Sequence, residues 1–165
     1  METPRGTPAE SFDYEGEIAV VIGKTARHVT PVQAVDHVLG YAPFNDGSVR
    51  EWQKHSIYAG KNFANSGSWG PWIATADDLP PVEDLHLTVT LNGETMQSAY
   101  GQEMIFSLPE QIAYASSLFT LYPFHNRRDG MRSTHNLQTS MMAMICMTTL
   151  TCVRYNNDQC MHVHS

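Results

Sequence analysis

The chain has 165 residues, 42% of them hydrophobic and 16% charged, a balance that supports one domain with a real core and excludes a disordered chain. Its net charge of −7 argues against a nucleic-acid footprint. No secretory n-region and h-region open the sequence, and its longest apolar candidate, "MMAMICMTTLTCV", falls short of the ~20 residues of a membrane helix. The reading is therefore a soluble intracellular protein, cytoplasmic or mitochondrial, with neither nucleic acid nor membrane as a partner.

Residues 1–12 form a loose start with two prolines. Glu17–Ile22 is a short β-branched run ended by Gly23, and it reads as a strand. If the strand begins by Tyr14, Glu15 and Glu17 share a face. "TPVQAVDHVLGY" reads as a helix: Thr30 is the N-cap, Pro31 the first helical residue and Gln33 the capping-box partner. Val32, Val35, Val38 and Leu39 give an apolar stripe that Gly40 ends.

"GYAPFND" then runs extended to Asp46. "KNFANSGSWGPWI", Lys61 to Ile73, is a Gly- and aromatic-rich loop of the packed, functional kind. "LHLTVTLNGETMQSA" alternates about an Asn92-Gly93 turn, the mark of a β-hairpin. "SLPEQIAYASSL" is a second helix capped by Ser107, with Glu110 three residues on. The class is α+β with β dominant.

Glu15, Glu17 and Asp46 offer two readings from spacing alone. They are a hard-cation site for Mg2+ or Mn2+, or a solvated acidic patch beside a strand. Arg50, Gln53 and Lys61 follow. An Arg and a Lys near a metal suit an anionic substrate, since Arg can hold a carboxylate in bidentate fashion and Lys can stabilise developing negative charge. The alternative is a pair of ordinary surface charges. His28, His55 and His86 have no metal-ligand spacing, and the "CMHVHS" terminus is assigned nothing.

The order of the motifs carries more than any one of them. "DYEGEIAVVIGK", "GYAPFNDGSVREWQ", "GKNF…GPWIATADDL", "TVTLNGETMQ" and "EMIFSLPEQIAYAS" together resemble the fumarylacetoacetate hydrolase family over Asp13 to Pro123. The resemblance implies a rolled mixed sheet or distorted barrel with a few flanking helices, usually a homodimer. It implies Mg2+ or Mn2+ held by Glu15, Glu17 and Asp46. Arg50, Gln53 and Lys61 would contact the carboxylate and oxo groups of a small anionic 2-oxo or 2,4-dioxo acid, with Lys61 as the catalytic residue. The implied reaction is C–C hydrolysis, decarboxylation or isomerisation through a metal-stabilised enolate.

The chain departs from the family pattern at three places, the mildest being Gly47, Val49 and Glu51 where Val, Ala and Asp are commoner around Asp46. Hydrolytic members place a His–Glu pair upstream of the E-x-E strand, and residues 1–12 contain no His. A T-G-T-P loop is expected after "SLFTLYP" and does not follow. Composition breaks there as well. Residues 1–123 carry 6 Lys+Arg and 15 Asp+Glu, whereas 124–165 carry 4 Arg and 2 Asp, all three Cys and six of the nine Met. The three Cys (Cys146, Cys152 and Cys160) read as free thiols.

The expected organisation is thus a loose segment 1–12, a partial catalytic domain 13–123, and a non-family tail 124–165 without a clean period, disordered or frame-shifted. The alternative function is an inactive truncated relative that at most binds metal or dimerises. Translating the coding DNA in the other frames past Pro123 tests the tail: a family-like continuation is expected, and its absence from both frames overturns the reading.

Overall fold

The computed structural model describes residues 1–7 and 11–123, with the backbone of two further strands at 143–145 and 159–164. In chain order the elements are β1 (Phe12–Asp13), β2 (Gly16–Ile22), α1 (Pro31–Ala34), β3 (Val38–Asp46), β4 (Ser48–Val49), α2 (Arg50–Gln53) and α3 (Ile57–Lys61). There follow β5 (Gly67–Trp69), β6 (Ala74–Thr75), β7 (His86–Leu91), β8 (Glu94–Tyr100), α4 (Leu108–Leu118), β9 (Ala143–Ile145) and β10 (Gln159–His164). The largest sheet runs β5-β3-β2-β9, with β6 also on β3. A second runs β10-β7-β8, and β1 pairs with β4. The β-dominated α+β class holds. The sheets are open, and no closed barrel forms among the described residues. No helix among them is long and apolar enough to cross a membrane.

β2 is buried along its whole length, so its alternation separates two kinds of burial. Ile18, Val20 and Ile22 enter the main core with Leu85, Leu87, Leu108 and Ile112. Nearer the strand's start, Tyr14 joins Val89 and Leu91 in a smaller cluster. The odd-numbered residues, Glu17 among them, take the opposite face.

The hairpin stands as read. Asn92 and Gly93 both have positive φ, 52° and 86°, the backbone a two-residue type I′ turn requires. β7 alternates half-buried and buried residues. α4 also stands, with its Ser107–Glu110 capping box. Leu108, Ile112 and Ser116 form its buried stripe. Beyond it, Arg27 donates to the carbonyls of Ser116 and Ser117 at 2.9 Å, tying the end of α4 to the segment leaving β2.

The first helix is shorter than its pattern predicts. The Thr30–Gln33 box and Pro31 start it, but α1 ends at Ala34 and one 3-10 turn completes it at His37. Val38 and Leu39 belong to β3. Val32 and Val35 are exposed, so the apolar stripe is not a core face. Pairing with β2 competes for the same residues and wins, because it gives the β3 backbone a hydrogen-bonded ladder with one irregularity between Val21 and Ile22. The 61–73 loop is packed only in part: Phe63 meets Phe12 and Trp52 edge-on, while Trp72 is exposed.

In the segment after Pro123, β9 pairs with β2 and β10 with β7. The rest of the expected tail lies outside the described residues. Ile112→Ala is expected to lower unfolding free energy by about 2–5 kcal/mol, from lost transfer energy and a cavity. Val32→Ala, on exposed α1, should stay within about 0.5 kcal/mol of the parent. Urea unfolding measures both.

Candidate metal centre

Glu15 lies just before β2 and Asp46 ends β3. The two strands pair antiparallel, with Gly16 opposite Asn45 and Glu17 opposite Phe44. Backbone hydrogen bonds between Glu15 and Asp46, at 3.2 and 2.9 Å, extend that ladder by one residue. Directly opposed residues share a face, as do residues two apart on one strand. Register therefore brings Glu15, Glu17 and Asp46 together. Each offers a carboxylate oxygen within 4.8 Å of the others. All three are buried, Glu17 almost completely at 1% exposure.

Two cations meet this cluster. Lys61, at the end of α3, places Nζ 2.5 Å from Glu15 Oε2 and 2.6 Å from Asp46 Oδ2. Arg50, at the start of α2, places Nη1 2.5 Å from Glu15 Oε1. Gln53 lies one turn on and accepts from Arg50 Nη1 at 3.3 Å. All six residues singled out from the sequence thus fall in one connected group.

Asp13 joins them, although the sequence reading gave it no role. It accepts from Arg50 Nε at 2.9 Å, and Nη2 lies 2.9 Å away. Its other oxygen accepts from the Tyr14 backbone. Asp13 therefore fixes the guanidinium plane from behind. The signal was present as the first acid of "DYEGE". Its partner stands 37 positions on, and only the β1–β4 pairing brings the two together.

The ionisation equilibria follow from the contacts. Burial pushes the Glu15 carboxyl up, but Lys61 and Arg50 outweigh it and hold the group below its ordinary value. Asp46 is raised: burial dominates, Lys61 offsets it in part, and the nearby Glu15 charge adds to the rise. Burial lowers Lys61, but its hydrogen bonds to Asp46 and Glu15 prevail and raise it. Arg50 is raised likewise through Asp13 and Glu15. Both cationic groups hold their protons at neutral pH.

Three carboxylates are a hard oxygen donor set. It suits Mg2+ or Mn2+ in preference to soft-ligand metals. The Lys61 ammonium, seated on two of the three, marks where positive charge is favourable. The donor set and this stand-in charge fit a divalent cation.

The family model described as fumarylacetoacetate (FAA) hydrolase C-terminal matches residues 1–124. A protein from Burkholderia lata, named as a hydrolase, is 37% identical over 126 residues, covering 74% of this chain and 44% of its own length. The chain therefore spans under half the length of that curated relative. The structure of a 2-hydroxyhepta-2,4-diene-1,7-dioate isomerase from Mycobacterium marinum superposes with a TM-score of 0.65 at 36% identity, over 71% of this chain and 46% of that one. A fumarylpyruvate hydrolase from Pseudomonas aeruginosa, solved with Mn2+ and pyruvate, gives 0.67 at 28% identity, over 73% and 53%.

Removing the Lys61 charge while keeping its stem tests the electrostatics. Lys61→Met leaves buried carboxylates short of a cation. In metal-free buffer it should lose roughly 2–4 kcal/mol of stability in urea unfolding, and Lys61→Arg should lose less.

Proposed function

The chain belongs to the fumarylacetoacetate hydrolase family, and on that premise we propose that Glu15, Glu17 and Asp46 hold Mg2+ or Mn2+ in an enzyme acting on small 2-oxo or 2,4-dioxo acids. The observation that carries the proposal is the convergence of three buried carboxylates within 4.8 Å on a chain of this family. When bound, the cation supplies Lewis acidity toward the carboxylate and 2-oxo oxygens of such an acid.

The chain's own residues have separate tasks. Glu15, Glu17 and Asp46 supply anionic oxygens on one face of the β2–β3 pair. Arg50 is held by Asp13 and keeps 35% of its side chain exposed, so it can meet an incoming carboxylate. Gln53 steadies Arg50 through Nη1. Lys61 supplies a positive charge that can counter negative charge developing on the substrate. Membership of a family with both isomerases and hydrolases supports chemistry through a shared enolate. Cleavage, decarboxylation and isomerisation all remain within the proposal. A homodimer is part of it, by family resemblance.

A second reading is binding without hydrolysis. It is supported by the groups seated on the trio among the described residues, Arg50 and Lys61, which are cationic rather than neutral bases.

Titration with Mn2+ or Mg2+ during thermal unfolding tests the first reading. At one hundred times Kd the expected stabilisation is about 2.7 kcal/mol, a rise in Tm of roughly 5–10 °C for a chain of this size. Glu17→Ala should abolish the rise. No shift in the parent would overturn the metal site. Oxaloacetate and acylpyruvates, assayed with the loaded protein, then separate turnover from binding alone.

A further inference from the structure

The β7–β8 hairpin touches β2 at Gly16, the residue between Glu15 and Glu17. Glu15 spends its backbone groups on Asp46, across the sheet. Alternation in an antiparallel ladder then turns the Gly16 N–H to the other edge of β2. The described pairing of β9 with that edge covers Ile18, Ala19 and Val20 only. At Gly16 the edge is met instead by a side chain: Gln97 Oε1 accepts the Gly16 N–H at 2.7 Å. Gln97 comes from β8, 81 positions along the chain, and stands in for a neighbouring strand at one point.

The same contact explains the glycine. A Cβ at Gly16 would lie 2.1 Å from Val89 Cγ2 and 3.1 Å from Gln97 Oε1. The first distance leaves no room for a side chain and the second is tight, so the hairpin sits directly on the backbone that carries the two glutamates. Tyr14, two residues before, packs on Val89 and Leu91 of the same hairpin. Gly16 thus stands opposite Asn45 of β3 in register, and its N–H is held from the other edge by Gln97.

We propose that Gln97 is a positioning residue for the metal pair, setting the separation and direction of the Glu15 and Glu17 carboxylates through the Gly16 backbone. The inference rests on the reading that these carboxylates hold a divalent cation. Groups that orient ligands without touching the metal commonly change its affinity by about 10–100-fold. A side-chain clamp on the peptide linking two ligands belongs to that class.

The test is Mn2+ binding by calorimetry on the full chain, beside its metal-free Tm. Gln97→Met keeps length and bulk but removes the acceptor. It should weaken Mn2+ binding at least about tenfold, with cooperative unfolding retained. Gln97→Glu restores an acceptor oxygen on a side chain of the same length, and should bring affinity back to within about threefold of the parent. A lower Tm for Gln97→Met with unchanged Mn2+ affinity would mean a merely structural clamp and overturn the proposal. So would Gln97→Glu binding as weakly as Gln97→Met. If Gln97→Met fails to fold, Gln97→Ala takes its place in the same comparison: Mn2+ binding at least about tenfold weaker, restored by Gln97→Glu, supports the clamp, and parent-like binding overturns it. A parent that binds no Mn2+ sinks the metal site itself, and this inference with it. That outcome differs from a binding parent whose variants match it, which removes Gln97 alone.

Discussion

Glu15 and Asp46 exchange two backbone hydrogen bonds, and the geometry of the centre depends on that pair. The bond fixes which residue of β3 faces which residue of β2. A slip of one residue would turn Asp46 away from the glutamates and put Asn45 in its place. The slip is opposed from the other face. Ile18, Val20 and Ile22 must enter the main core together, and each such side chain is worth about 1.5–3 kcal/mol when fully buried. The parity that buries the apolar residues is the parity that gathers the acids. Core and site are two faces of one register.

That arrangement brings like charges together in a poorly solvated place, which is unfavourable without compensation. The chain compensates with Arg50 and Lys61, delivered by two short helices directly after β4. The compensation is uneven. Glu15 touches both cations and is held ionised, whereas Asp46 touches Lys61 alone and feels the Glu15 charge. Asp13 then completes Arg50 from behind, so three acids, Asp13, Glu15 and Asp46, and two cations form one network. Such a network specifies geometry more than it adds stability, because each ion has lost part of its hydration.

Much of this was legible beforehand. The E-x-E spacing, the strand that follows it and the extended run to Asp46 are local features, and local patterns report them. The Asn92-Gly93 turn and the Ser107 cap were legible for the same reason. The first helix shows the limit. A capping box and Pro31 started it correctly, but Val38 and Leu39, the end of the supposed stripe, served a strand, because Val38–Asp46 had a partner in β2. Propensity gave way to the ladder. Asp13 and Gln97 were in view within quoted motifs, yet their partners lie 37 and 81 positions away. No spacing rule reaches that far.

By itself the sequence determined the family, the β-dominated class and the identity of the donor oxygens, because residue type and motif order carry those directly. Only the tertiary structure decided that the acids converge, that two cations sit against them, and that a hairpin from later in the chain meets the peptide between the glutamates. The physical reason is that charge and hydrogen bonding act over a few ångströms of space. Sheet register, not distance along the chain, sets which groups come that close.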